Sequence, residues 1–286
     1  MIATAFDYYR PTSVNEAIEM MKEHGDSAKI LAGGHSLIPS IKLRLNSPEK
    51  LIDISQLEDL KYIREDGDVI AIGAGTTHGE IAKSDLLKQH VPILPEAAEL
   101  IGDPAVRNLG TIGGSLAHAD PAADWPASLL ALEAEVVLQG PNGKRTVPMS
   151  DFFMGIFFTA LEENELIVEL RIPKPPKHTG WAYVKFSQPA SRYALVGCAA
   201  LVTKGNGKCD RVRVAFTGVS DVAFRDTAVE DALTGKDASE DAIANAADQA
   251  AGSVDIMEDH FASEKYRKHL AKVFAKRALQ QAAERT

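Results

Sequence analysis

Apolar residues first recur at helical spacing at Val14, Ala17, Ile18 and Met21, behind a Ser13/Glu16 capping box and ahead of Gly25, which predicts a helix there. Lys29-Ile30-Leu31-Ala32 reads as a short strand that runs into Gly33-Gly34, and Leu51–Ile54 as a second. Apolar runs on both sides of Asp66-Gly67 predict a hairpin. A second capping box, Thr77 with Glu80, opens a short helix, and another helix is expected over Glu96–Ile101. The chain then reaches a second glycine pair, Gly113-Gly114, followed by a helix near Trp125–Leu132 and a strand at Val136–Leu138.

Leu166, Val168, Leu170 and Ile172 alternate with other residues up to Pro173, the pattern of a strand face. The stretch Lys174-Pro175-Pro176-Lys177-His178 reads as a linker and sets the expected domain boundary. It separates residues 1–177, with parts at about 1–55 and 56–177, from residues 178–286. Beyond it, runs near 181–187, 195–203 and 211–217 predict antiparallel strands, and two helices close the chain, the last capped by Ser263. The expected class is α+β.

Composition narrows the chemistry. With 45% apolar and 25% charged residues, the chain has the make-up of an ordinary globular protein. A net charge of -9 argues against nucleic acid as the main partner. No apolar run is long enough to span a bilayer, and the N-terminal residues lack the regions of a signal peptide, so a cytoplasmic protein is expected, free or peripheral at the inner membrane face. Two cysteines, Cys198 and Cys209, fall short of the four that an iron–sulfur cluster ordinarily takes. Redox chemistry here would need an organic cofactor. His35, His78 and His118 are too scattered for a metal-ligand pattern, and no metal site is expected.

The two glycine pairs share a layout: an apolar stretch, two glycines, then a small or polar residue. Adjacent glycines let backbone N–H groups converge on an anion with no Cβ in the way, and Ser36 and Thr111 add hydroxyls. Either pair alone also fits a plain tight turn. A third stretch, Gly73-Ala74-Gly75-Thr76-Thr77-His78-Gly79, is a loosened dinucleotide fingerprint. The strand with an acidic end expected about 20 residues on is missing, because Val91-Pro92-Ile93-Leu94-Pro95 stands there. No nucleotide-triphosphate loop motif occurs either.

Ala32-Gly33-Gly34-His35-Ser36-Leu37-Ile38-Pro39, with Lys42 and Leu43-Arg44-Leu45 behind it, resembles the first FAD-binding signature of the molybdenum hydroxylase flavoproteins. These are the medium subunits of aerobic carbon monoxide dehydrogenases and the FAD domains of xanthine dehydrogenases. Thr111-Ile112-Gly113-Gly114-Ser115, followed by Asp120-Pro121-Ala122-Ala123-Asp124, is similar to their second signature. The likeness runs from Phe6-Asp7-Tyr8 to the C-terminal helices and is nearest to the carbon monoxide dehydrogenase type. One departure is Ser115, where the family more often has asparagine.

The resemblance implies a fold. An FAD domain of the p-cresol methylhydroxylase type, with a small sheet and a larger mixed sheet, precedes a C-terminal domain with a three-stranded antiparallel sheet and helices. It implies that FAD lies between the parts, its pyrophosphate on residues Ala32–Leu37 and Thr111–Ser115. Asp124 matches an acidic position that bonds an FAD hydroxyl or amino group; from the residues alone it fits equally a helix N-cap before Trp125. Lys185 and Tyr193 match positions near the flavin ring, one as a charge beside its pyrimidine end and the other as a cover for a face, and Ile167 matches a position whose backbone faces the cofactor.

The resemblance also implies a place in a complex. A large subunit carries the molybdopterin cofactor, a small subunit carries two [2Fe–2S] clusters, and the flavin subunit passes electrons to NAD, a quinone or oxygen within a dimer of heterotrimers. No residue of this chain is implied to be catalytic. Two other readings stay open: a free-standing FAD oxidase with its own substrate, and a binding module whose glycine turns hold another phosphate ligand.

Overall fold

The computed structural model describes residues 3–286. Three parallel strands form a small sheet in which Lys50–Asp53 lies between Asp7–Tyr9 and Ala28–Leu31. The helix Val14–His24, capped by Ser13 as its sequence predicts, covers this sheet with Ala17 and Ile18. A five-stranded sheet follows, in the order Ile63–Asp66, Val69–Gly73, Leu166–Pro173, Glu135–Gly140, Gly143–Pro148. All its neighbours pair antiparallel, so it is not the mixed sheet the resemblance implied. Its outer strands are the arms of hairpins, which require antiparallel pairing.

The larger sheet is buried on both faces. Val137, Leu166 and Val168 meet the small sheet and its helix, while Val136, Leu138, Leu170 and Ile172 meet the helices Ile93–Glu99 and Trp125–Ala131. A register shift between Ile167 and Glu169 turns Leu170 and Ile172 to the second core while Leu166 and Val168 stay in the first, so the four do not share the one face that their spacing predicts. Such bulges re-aim side chains. The helix expected over Glu96–Ile101 starts earlier, at Ile93, because proline is tolerated in a first helical turn. The prolines that argued against a strand there belong to a helix start.

The C-terminal part holds Thr179–Ser187, Ala194–Gly205 and Lys208–Thr217, close to the predicted strands. A fourth strand, Phe224–Arg225, pairs at the edge, so the sheet has four antiparallel strands and not three. Two residues are too few to leave a periodic signal. Three helices accompany it rather than two: Thr227–Leu233, Glu240–Ala247 and Glu264–Glu284. Ala194–Val202 are all buried because this sheet too is covered twice. Tyr183, Ala199, Leu201 and Ala215 pack into the core of the larger sheet, while Ala182, Val196, Cys198 and Val214 pack under the C-terminal helices. A continuous apolar run in a strand is the mark of such double burial. No helix of the described residues is long and apolar enough to cross a membrane.

Candidate functional site

A cleft of about 960 Å³ opens between the small sheet, the larger sheet and the loop Ser191–Tyr193. That is near the top of the range of roughly 300–1,000 Å³ common for ligand and cofactor sites. Ala32, Gly33, Gly34, His35, Ser36 and Leu37 border it on one side, and Thr111, Gly113, Gly114 and Ser115 on the other. Asp124, Ile167 and Tyr193 line it as well. Two residues of the sequence reading do not reach it. Ile112 is fully buried beneath its turn, and Lys185 stands behind Asp124.

The first turn joins the strand Ala28–Leu31 to the short helix Leu37–Lys42. Gly34 has a φ of 75°, the left-handed region that favours glycine. Among the described residues, none accepts a hydrogen bond from the amides of Gly33, Gly34, His35, Ser36 or Leu37. The second turn is built differently. Its amides bond inward: Ile112 to the Thr76 carbonyl at 3.0 Å, Gly113 to the Ala74 carbonyl at 2.9 Å, Ser115 to the Thr111 carbonyl at 3.0 Å. Gly114 donates to the Thr111 hydroxyl at 3.1 Å. A Cβ on Gly113 would stand 2.6 Å from that of Ala74.

The two turns touch. A Cβ on Gly33 would lie 2.0 Å from the Leu109 carbonyl oxygen, so glycine lets the first turn rest on the segment that leads into the second. The third glycine stretch lies against the second turn: Thr77 and Thr111 form a backbone bridge, and the His78 amide donates to the Gly110 carbonyl at 2.9 Å. Gly75, Thr77 and His78 therefore line the cleft, although their sequence carries no valid dinucleotide fingerprint.

Asp124 precedes the helix Trp125–Ala131 but its side chain does not cap it. It accepts instead from the Tyr183 hydroxyl at 2.6 Å and the Lys185 ammonium at 3.0 Å. Burial pushes the Asp124 carboxyl up, opposed by the Lys185 charge and the Tyr183 hydroxyl. The Lys185 ammonium also donates to the carbonyls of Leu100 and Arg192, both at 2.7 Å. Those contacts use its three donors. Lys185 thus ties the 191–193 loop to Asp124. Tyr193 is 40% exposed, and desolvation together with nearby Asp120 pushes its phenol up to about 12.

The residues match two family models. Residues 4–175 match the FAD binding domain in molybdopterin dehydrogenase, and residues 181–282 the CO dehydrogenase flavoprotein C-terminal domain. The chain belongs to the molybdopterin-dehydrogenase flavoprotein family. This flavoprotein is 43% identical to the carbon monoxide dehydrogenase medium chain of Hydrogenophaga pseudoflava, over 98% of its own length and 97% of that protein's. It is 39% identical to the 6-hydroxypseudooxynicotine dehydrogenase complex subunit alpha of Paenarthrobacter nicotinovorans, over 98% and 95%. A solved structure of the carbon monoxide dehydrogenase from Hydrogenophaga pseudoflava lacking the Mo-pyranopterin moiety of its molybdenum cofactor superposes with a TM-score of 0.96, at 45% identity, covering 100% of this chain and 99% of that one.

The flavoprotein is therefore an FAD-binding oxidoreductase subunit of the molybdenum hydroxylase type. Its cleft suits FAD by size, and the free amides of the first turn suit an anionic pyrophosphate. Sequence reasoning missed Thr77, His78 and Arg192 as cleft residues, and gave no role to Asp120 of the second signature, which lines the cleft too. The capping box at Thr77 and the lone histidines were visible, but nothing local distinguishes a lining residue from a helix start.

Proposed function

We propose that this subunit relays electrons within a molybdenum hydroxylase complex and does not transform the organic substrate. The observation that carries this is the cleft itself. Its volume and the amides of Gly33–Leu37, which have no acceptor among the described residues, support a long anionic cofactor as its occupant. Bound there, FAD supplies the capacity to take electrons singly from [2Fe–2S] clusters of a small subunit and to pass them on to NAD, a quinone or oxygen. The amides of Gly33–Leu37 would hold the pyrophosphate, with the Ser36 and Thr111 hydroxyls nearby. Tyr193 would cover a flavin face from the 191–193 loop. Lys185 would exert its charge through Asp124 rather than by direct contact, since its donors are already used.

Residues 1–177 would serve as the FAD-binding domain and 178–286 as the C-terminal flavoprotein domain. A large subunit with the molybdopterin cofactor completes the complex, as a dimer of heterotrimers. The relatives are named for carbon monoxide and for 6-hydroxypseudooxynicotine, so the substrate belongs to the large subunit and not to this fold.

The test is anaerobic reduction followed by visible flavin absorbance. The isolated chain loaded with FAD should keep its absorbance when mixed with family substrates, and the reconstituted complex should lose it with the right one. Bleaching of the isolated chain by an organic substrate would overturn the relay and favour a free-standing oxidase.

A further inference from the structure

His78 is the most enclosed histidine of the cleft. The residue is 5% exposed, at the start of the helix His78–Lys83. One edge of the imidazole is accounted for by the fold: the Trp125 indole N–H donates to His78 Nδ1 at 3.1 Å. The opposite edge lies over Gly110, where a Cβ would come within 2.9 Å of both Cδ2 and Nε2. His78 and Gly110 both border the cleft, and no acceptor for Nε2 exists among the described residues. Gly110 in turn abuts Gly33 of the first turn. The free edge of His78 therefore opens at the seam where the two glycine turns meet.

We infer that His78 is a cofactor-binding residue, donating from Nε2–H to a phosphate oxygen of FAD where the two turns converge. The inference rests on the family's FAD and assigns a contact that the glycine motifs do not contain. Trp125 fixes the tautomer: with Nδ1 accepting, the single proton of a neutral ring sits on Nε2. Burial, helped by His35 and Arg107, holds the imidazole down at about 4, so the ring stays neutral at ordinary pH and acts as a dipolar donor. A second-turn wall whose amides are spent on the protein thereby regains one donor toward the ligand. An imidazole with only a structural role would be expected to satisfy both nitrogens within the fold.

The test uses the full chain stripped of flavin and titrated with FAD, with ADP and riboflavin as partial probes. His78→Asn and His78→Gln offer the same amide at two reaches: the asparagine amide falls near Nδ1 and the glutamine amide near Nε2. His78→Gln should keep FAD affinity within about threefold, whereas His78→Asn and His78→Phe should weaken it about tenfold or more, a loss typical of one donor to a charged acceptor. ADP, which has the pyrophosphate, should lose affinity in the same ratio, and riboflavin, which lacks phosphate, should not. Equal FAD affinity for the asparagine and glutamine variants would overturn the contact. A loss seen with riboflavin but not with ADP would overturn its assignment to phosphate. Failure of the unaltered chain to take up FAD would overturn the underlying cofactor reading as well, and so is told apart from failure of the variants alone.

Discussion

The two walls of the cleft carry nearly the same sequence layout and behave as opposites. On the first wall, the amides of residues 33–37 have no acceptor among the described residues, beside a small three-stranded sheet. On the second wall, residues 112–115 spend theirs on Ala74, Thr76 and Thr111, and the wall stands on the main core through Ile112 and Leu116. An unmade backbone hydrogen bond is costly once buried, so amides left free at a cleft edge are positioned for a ligand. A glycine pair therefore marks close backbone approach, and the approaching partner decides the role: ligand on one wall, protein on the other. Substitutions at Gly34 on the first wall should cost binding, whereas those at Gly33, which rests on Leu109, and on the second wall should cost the fold.

The strongest way to break this contrast is Gly113→Val. Its side chain would collide with Ala74, so a loss of roughly 4–5 kcal/mol is expected, at the top of the single-substitution range. Thermal unfolding of the flavin-free chain reads this directly; an unchanged melting temperature with lost FAD affinity would place Gly113 on the ligand side instead.

Asp124→Asn comes next, because it leaves the Lys185 ammonium, whose side chain is 2% exposed, without its counter-charge. Breaking a buried pair in this way costs about 3–5 kcal/mol. Denaturant unfolding should show it with FAD absent, and a Lys185→Met, Asp124→Leu double variant should recover much of the loss. A full loss in the double variant would mean that the pair itself, not the stranded charge, holds the wall.

His78 makes stability depend on pH. The folded ring is held at about 4 against an ordinary 6.5, so the unfolded chain takes up the proton first as pH falls. This contribution is complete above pH 6.5 and is lost on descending toward pH 4. Its ceiling is about 3 kcal/mol, from roughly 1.4 kcal/mol per unit. His78→Gln should flatten that part of the stability profile. The same slope in both proteins would assign the acid sensitivity to other groups.

Gly34→Ala tests the first wall with a smaller perturbation. A side chain at a φ of 75° costs roughly 1–2 kcal/mol and turns the free amides away from the cleft. FAD affinity should fall at least about tenfold while the melting temperature moves by only a few degrees. The smallest effect is expected for Ser115→Asn, at a half-buried position whose amide is already satisfied. A change in FAD affinity of more than about fivefold, near 1 kcal/mol, would show that this side chain contacts the cofactor.

Much of this molecule was legible along the chain. Ser13 caps its helix, though Glu16 reaches back to Thr12 and not to Ser13, the Thr77/Glu80 capping box starts another, and both glycine turns border one cleft. These signals are local, because a cap or a turn is completed within a few residues. The direction of the larger sheet and the strand Phe224–Arg225 were not legible, since pairing partners lie far apart in sequence and two residues leave no period. Nor was the fate of Asp124, which looked as much like a helix cap as a ligand group. Tyr183 and Lys185, some 60 residues on, capture its carboxylate, and only the packing of the C-terminal sheet brings them there. The sequence by itself determined which backbone can turn tightly and where. Tertiary structure decided which turn keeps its amides free, because that depends on whether a distant segment such as Ala74–Thr76 arrives to accept them.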